Sequence, residues 1–321
     1  MARVVANELA YRPATADDAA FAADVMTAVA PHSPWDPVSL RYWWLQPDEF
    51  TKYARFVALQ AERPVGFGQF DHALWDVQPD RYAFISGDLL PANRVALGAL
   101  LAAMEELATA DGARILRTRA YEDDSFRVET ILGRGYQEDR HHKRWELDLG
   151  ANRETLLTMT ERSRARMRGE GVEMLTLAQD SDPDVIKKVW HLSEEAGDDV
   201  PTTVPRTPEA MESYVRWSRA PEIHRDRFWI ARAGNDVVGI SVLGYPPVRG
   251  VVGTEWTATA RSVRGRGVAR ALKCETLAQA IALGVDRVRT GNDAANAPIL
   301  HINETMGYRP LPAAIYYLRS V

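Results

Sequence analysis

Arg264-Gly265-Arg266-Gly267-Val268-Ala269 is the stretch whose residue types and spacing speak most directly of chemistry. Two glycines let a ligand approach the backbone closely. A helix starting just after them would direct free N–H groups and a positive dipole end toward an anion. The two arginines add charge-assisted donors. The stretch therefore predicts a site for a phosphate-bearing molecule. It lacks the Gly-Lys-Ser/Thr ending of a nucleoside triphosphate loop. Other reactive side chains promise less. Cys274 shares a helical face with Ala271, Ala278 and Ile281 and reads as a buried structural thiol rather than a nucleophile. Adjacent His141 and His142 would point to opposite sides of a strand, which is poor metal geometry. No Cys or His spacing suggests zinc, and no metal is expected.

A strand must precede the loop and a helix must follow it. Val251 to Thr259 alternates like a strand, and Arg270 to Leu283 is free of Pro and Gly. Upstream, the same order of elements occurs twice. The first half reads as a strand at Leu9–Arg12, two helices, a hairpin turning at Glu62-Arg63-Pro64 and a strand from Tyr82. A helix over Arg94–Ala110, a strand, a helix and a closing strand complete it. The second half repeats this from Glu173 to Leu318, with strand Val285–Thr290 and helix Ala294–Met306 after the loop. Two copies of one fold follow, residues 1–150 and 151–321, with a linking helix within 151–170. Arg162, Arg164, Arg166 and Arg168 on that helix read as a solvated face rather than a phosphate patch. The pair Trp43-Trp44 reads as core packing rather than a ligand cage.

At 321 residues the chain suits two domains, and its 46% apolar and 26% charged composition is that of a globular protein. A net charge of -5 gives no reason to expect nucleic acid as a partner. A single cysteine fits a reducing compartment. Met1 to Arg12 lacks the layout of a signal peptide, and no apolar run approaches the ~18 residues of a membrane span. The expectation is a cytoplasmic protein with no membrane partner, a monomer or homodimer.

Arg264-x-x-Gly267-x-Ala269, between a strand and a helix, resembles the pyrophosphate-binding motif of the GNAT superfamily of N-acetyltransferases. Thr290-x-Asn292-x-x-x-Asn296, followed by Asn303 and Met306-Gly307-Tyr308, resembles that family's later strand–helix segment. The tandem order is similar to relatives of mycothiol synthase. The resemblance implies an α/β (α+β) fold of two tandem acyl-CoA N-acyltransferase domains, each a mixed, mostly antiparallel sheet flanked by helices. It also implies acetyl-CoA as donor. Its pantetheine amides would pair with backbone around Thr257, Ala258 and Thr259. Its diphosphate would rest on the loop amides of Gly265, Arg266, Gly267, Val268 and Ala269, beside Arg264. Asn292 and Asn296 would contact the cofactor arm, although Asn292 also suits a helix N-cap.

Acetyl transfer by direct attack needs a base for the amine, and Glu255 is the candidate. It stands beside Trp256 in an apolar run on the cofactor strand, and burial raises a carboxylate's pKa. Strand alternation puts it on the face of Thr257 and Thr259. The alternative is a solvated or ion-paired carboxylate at the strand's mouth. For the acid, Asn303 occupies the place of a tyrosine common in the family, leaving Tyr308, Tyr316, Tyr317, His301 or solvent. In the first half, Val95 and Leu97 stand where the loop glycines should be, and Tyr121-Glu122-Asp123-Asp124 brings acidic charge to its cleft. That half reads as a copy without acetyl-CoA. The expected function is N-acetylation of a small amine-bearing acceptor. A mycothiol-synthase-like reaction is a variant, and a non-catalytic acyl-CoA sensor is the alternative.

Overall fold

Each half opens with a strand and two helices in the computed structural model, which describes residues 9–321. Residues 1–8, part of the stretch read as lacking a signal peptide, lie outside the described residues. The first half contains β1 (Ala10–Pro13), α1 (Ala19–Val29), α2 (Pro37–Leu45), β2 (Thr51–Gln60), β3 (Arg63–Ala73) and β4 (Tyr82–Leu89). Then come α3 (Leu97–Ala110), β5 (Ile115–Tyr121), α4 (Ser125–Gly133) and β6 (Gln137–Asp148). After the linking helix α5 (Arg153–Gly169) the order recurs: β7 (Glu173–Thr176), α6 (Val185–Gly197), α7 (Met211–Trp217), β8 (Phe228–Ala233), β9 (Asp236–Gly244) and β10 (Val252–Thr259). The chain closes with α8 (Val268–Ala282), β11 (Arg287–Asp293), α9 (Ala297–Thr305) and β12 (Arg309–Ser320).

Four local expectations are corrected. The first hairpin turns at Ala61 and Glu62, both with positive φ (47° and 64°), rather than at Glu62-Arg63-Pro64. A two-residue turn of that conformation matches the twist of its strands, so β3 already begins at Arg63. Residues Pro91–Ala96 form a 3-10 turn, and α3 starts only at Leu97. Asn292 lies inside β11 rather than at a helix start. Pro298 fits only the first turn of a helix, so α9 starts at Ala297 and Asn296 takes the N-cap position.

Among the described residues, twelve strands form one mixed sheet in the order β1-β2-β3-β4-β5-β12-β6-β11-β10-β9-β8-β7. The last strands of the two halves are interleaved: β12 lies between β5 and β6, and β6 between β12 and β11. Two pairs are parallel, β4 with β5 and β10 with β11. Each runs parallel only briefly, Tyr82–Phe84 against Ile115–Arg117 and Val252–Gly253 against Val288–Arg289, before the strands part. A V-shaped opening results in each half.

Apolar faces of α3, α8 and α6 hold the layers together. Leu97, Leu100 and Met104 of α3 are buried against Ile85, Phe70 and Leu116. Leu277 and Ile281 of α8 pack with Leu147, Val288 and Tyr308, and Val189 and Leu192 of α6 with Phe228, Ile240 and Val242. Each such side chain contributes about 2 kcal/mol by leaving water. Asp36 ties the halves. One carboxylate oxygen caps α2 at Val38 and Ser39, and the other accepts from the amides of Val248 and Arg249. Among the described residues no helix is long and apolar enough to cross a membrane.

Candidate active site

The loop between β10 and α8 does have the conformation of an anion cradle. Gly265 and Gly267 have φ of 75° and 90°, values that L-residues rarely adopt, and Gly267 is the N-cap of α8. Ala271 donates the first helical hydrogen bond, to the Gly267 carbonyl. The amides of Gly265, Gly267, Val268, Ala269 and Arg270 reach no backbone acceptor among the described residues. The edge of β10 facing the V opening is likewise unpaired beyond Gly253, while its other edge pairs with β9 through Thr259. Free amides in a glycine loop and an open strand edge fit the diphosphate and amide-bearing arm of a CoA.

The arginines of the loop behave differently from expectation. Arg264 pairs with Asp199 at 2.7 Å and Arg266 with Glu170, so both charges already have partners. Asp199, bound also by Arg261, has its pKa lowered to about 2. Among the described residues, Arg166 of the linking helix has no acidic partner and stands at the loop: a Cβ on Gly267 would lie 3.1 Å from its Nη1. All four arginines of that helix are exposed, as read, and Arg164 also grips the buried Glu275 with two hydrogen bonds of 2.7 Å.

Glu255 sits in a β-bulge. Thr254 pairs with Leu243 and Trp256 with Val242, which leaves Glu255 as the extra residue. The bulge overturns simple alternation. Thr257 turns to the Ser241 hydroxyl at 2.9 Å, whereas the Glu255 carboxyl lies over Gly244, three residues along β9 and on the other face. The Glu255 side chain is exposed, yet protein around its carboxyl withdraws it from bulk water. That burial, reinforced by the Glu222 carboxylate, pushes its pKa up to about 7. Glu222 in turn accepts from Trp43 Nε1 at 3.0 Å across the junction of the halves. Trp43 thus has a polar role that core packing did not anticipate, and it also lines a cavity of about 330 Å³ with Tyr53, Glu209 and Trp217. Its neighbour Trp44 is buried against Phe67 as expected.

Asn292 and Asn296 fare differently. Asn292 Oδ1 accepts from Asn303 Nδ2 at 2.9 Å, and Asn303 is fully buried. Asn296 makes no side-chain cap hydrogen bond. Among the acid candidates, Tyr308 is buried beside Thr254 of β10, and burial raises its pKa. Tyr317 faces the first-half core, Tyr316 lies on β12 beside Arg117, and His301 is exposed on α9. Lys273 was not anticipated. It is buried, with its Nζ 5.2 Å from the Tyr308 ring centroid, and burial lowers its pKa to about 8. Its place amid apolar helix neighbours gave no signal in the sequence. Cys274 is buried, as read.

Residues 190–308 match the model of the acetyltransferase (GNAT) family. The match runs from α6 through α9 and includes Glu255 and the glycine loop. This segment is a GNAT acetyltransferase domain. No curated protein matches the chain. Solved structures do. A tandem GNAT protein from the clavulanic acid biosynthesis pathway is similar at a TM-score of 0.74 and 17% identity, covering 98% of each chain. A GCN5-related N-acetyltransferase from Sphaerobacter thermophilus is similar at 0.67 and 15%, covering 97% of this chain and 95% of that one. A GNAT-family acetyltransferase from Colwellia psychrerythraea reaches 0.61 at 10% identity, covering 98% and 100%. At such identities the likeness is one of fold, and it extends the tandem GNAT architecture to the whole chain.

The first-half opening differs from the second. No residue from Pro91 to Leu97 has positive φ, and Val95 projects into solvent. Two carboxylates of the acidic run there are engaged, and the charge of a third, Asp123, reaches Arg144. Asp124 caps α4 at Arg127 and pairs with Arg94, while Glu122 accepts from the Ala313 amide at 2.8 Å.

Proposed function

We propose that the protein transfers an acetyl group from acetyl-CoA to the amine of a small molecule, with Glu255 as general base. The observation that carries this reading is the bulge, which sets a carboxylate of pKa about 7, borne by the strand that leads to the loop of free amides, over Gly244. A base poised near neutrality accepts a proton efficiently without being protonated beforehand. In the reaction the amine nitrogen bonds to the acetyl carbon and the carbon–sulfur bond breaks. The amine proton passes to Glu255, and the departing thiolate takes one from water or Tyr308. The loop amides and Arg166 hold the diphosphate end, and the free edge of β10 holds the arm like an added strand.

The buried Asn303, where the family often has tyrosine, favours a second reading in which the chain binds acyl-CoA without turnover. An amine panel with thiol detection separates them. Release of CoA thiol that requires both acetyl-CoA and an amine supports the enzyme. Tight acetyl-CoA binding with no release across primary amines of varied size and charge leaves the sensor.

A further inference from the structure

Three arginines in the middle of the shared sheet lack carboxylate partners. Arg117 and Arg119 project from β5 and Arg144 from β6, and no carboxylate lies within 4.0 Å of their guanidinium groups among the described residues. They belong to one face. Arg119 stands opposite Tyr316 of β12, and Tyr316 opposite Arg140 of β6. Tyr121 stands opposite Ala314, and Ala314 opposite His142. The Arg117 guanidinium lies 4.2 Å over the Tyr316 ring, and that of Arg144 lies 4.1 Å over Tyr121. The Nε of Arg117 is buried without a hydrogen-bond partner. Burial lowers the pKa of Arg117 and Arg144, and each also feels the charge of Arg119. Like charges gathered on half-buried strands cost stability unless an anion joins them. Of the acidic groups whose charge reaches them, Asp88 pairs with Arg127 and Asp139 accepts from the Thr203 hydroxyl, while Asp71 and Asp123 act on Arg117 and Arg144 from beyond salt-bridge distance.

The cluster borders both openings. Arg119 and Tyr121 lie on β5 beyond its last parallel partner, Arg117, and so line the wall of the first-half V. On the other side Arg144 stands opposite Gly291 of β11, and His142 leans over Gly291 so closely that a Cβ there would strike its imidazole. The strands run β5, β12, β6, β11, β10, so Arg144 stands two strand spacings, roughly 10 Å, and Arg117 and Arg119 four spacings, roughly 20 Å, from the strand of Glu255.

We propose that Arg117, Arg119 and Arg144 bind a carboxylate or phosphate group of an elongated acceptor, whose amine reaches along the sheet to Glu255, two to four strand spacings (roughly 10 to 20 Å) away. The anion site stands by itself, and its link to an acceptor rests on the acetyltransferase reading above. The tyrosine rings beneath two guanidiniums keep them flat and aimed across the sheet. This half of the tandem would then supply recognition, and the other the chemistry.

Calorimetric titration of the full chain with 6-aminohexanoate, 6-aminohexyl phosphate and hexylamine tests this. At least one anion should bind tenfold or more tightly than hexylamine, and the stronger of the two names the group. Arg119→Gln should abolish that preference and leave acetyl-CoA binding within twofold. Arg144→Gln should do the same and serves if Arg119→Gln does not fold. Arg119→Lys should retain part of the preference. Equal affinity for anionic and neutral amines would overturn the proposal, as would a preference that survives either glutamine variant. Thiol release from acetyl-CoA is read in the same samples. Anion preference without release keeps the site and removes the acetyltransferase reading, whereas release with hexylamine and no anion preference does the reverse.

Discussion

The Glu255 carboxyl occupies the space that a side chain on Gly244 would need. A Cβ on Gly244 would lie 2.5 Å from Glu255 Oε1 and 3.0 Å from Cδ. Gly244→Ala should therefore push the carboxyl out of place. Turnover should fall about tenfold or more, in line with the usual contribution of a positioned base. Acetyl-CoA affinity should stay within about twofold, because the loop amides do not move.

The Glu222 carboxylate helps to raise the Glu255 pKa. Rate as kcat/KM should rise with pH through about 7 as Glu255 loses its proton. Glu222→Gln should shift that limb to lower pH by removing the like charge. A pH–rate profile of each protein checks this, and an unshifted limb counts against the coupling.

A folded-state pKa above the ordinary 4.5 also has a sign for stability. Between about 4.5 and 7 the folded chain binds more protons at Glu255 than the unfolded one, so this group's contribution falls as pH rises. Glu255→Gln should raise Tm relative to wild type at pH 8 and leave it nearly unchanged at pH 4.

Lys273 runs the other way. Its folded pKa of about 8 lies below 10.5, so folding is disfavoured at this site below pH 8 and relieved as pH climbs toward 10.5. A shift of that size corresponds to about 3 kcal/mol at neutral pH. Lys273→Met should stabilise the chain at pH 7 by denaturant titration, and the gain should shrink toward pH 10.5. A gain independent of pH would assign it to packing alone.

Gly265 and Gly267 need left-handed backbone. Alanine at either should cost about 1 kcal/mol of stability. Gly267→Ala also crowds Arg166 and should weaken acetyl-CoA binding the more, an order readable by titration calorimetry.

Much of this was legible in residue patterns, and the losses have physical causes. The glycine loop, its flanking strand and helix, and the doubled element order follow from periodicity and turn chemistry, which are local. The face of Glu255 was misread because a bulge is set by cross-strand register with β9, which no local pattern carries. The partners of Arg264 and Arg266, Asp199 and Glu170, lie 65 and 96 residues away in the chain, so the loop looked more cationic than it is. Trp43 and Glu222 meet only because the halves share one sheet. The interleaving of β12 between β5 and β6, which brings Tyr316 between Arg119 and Arg140, likewise needs the whole chain.

The central claim is that Glu255 takes the proton from an amine in this opening. Its most direct measurement compares Glu255→Gln with wild type using one amine that the wild type acetylates. The account predicts unchanged acetyl-CoA affinity and thiol release slowed about 100-fold or more across pH 6 to 9. Release within twofold of wild type at equal acetyl-CoA saturation would contradict it.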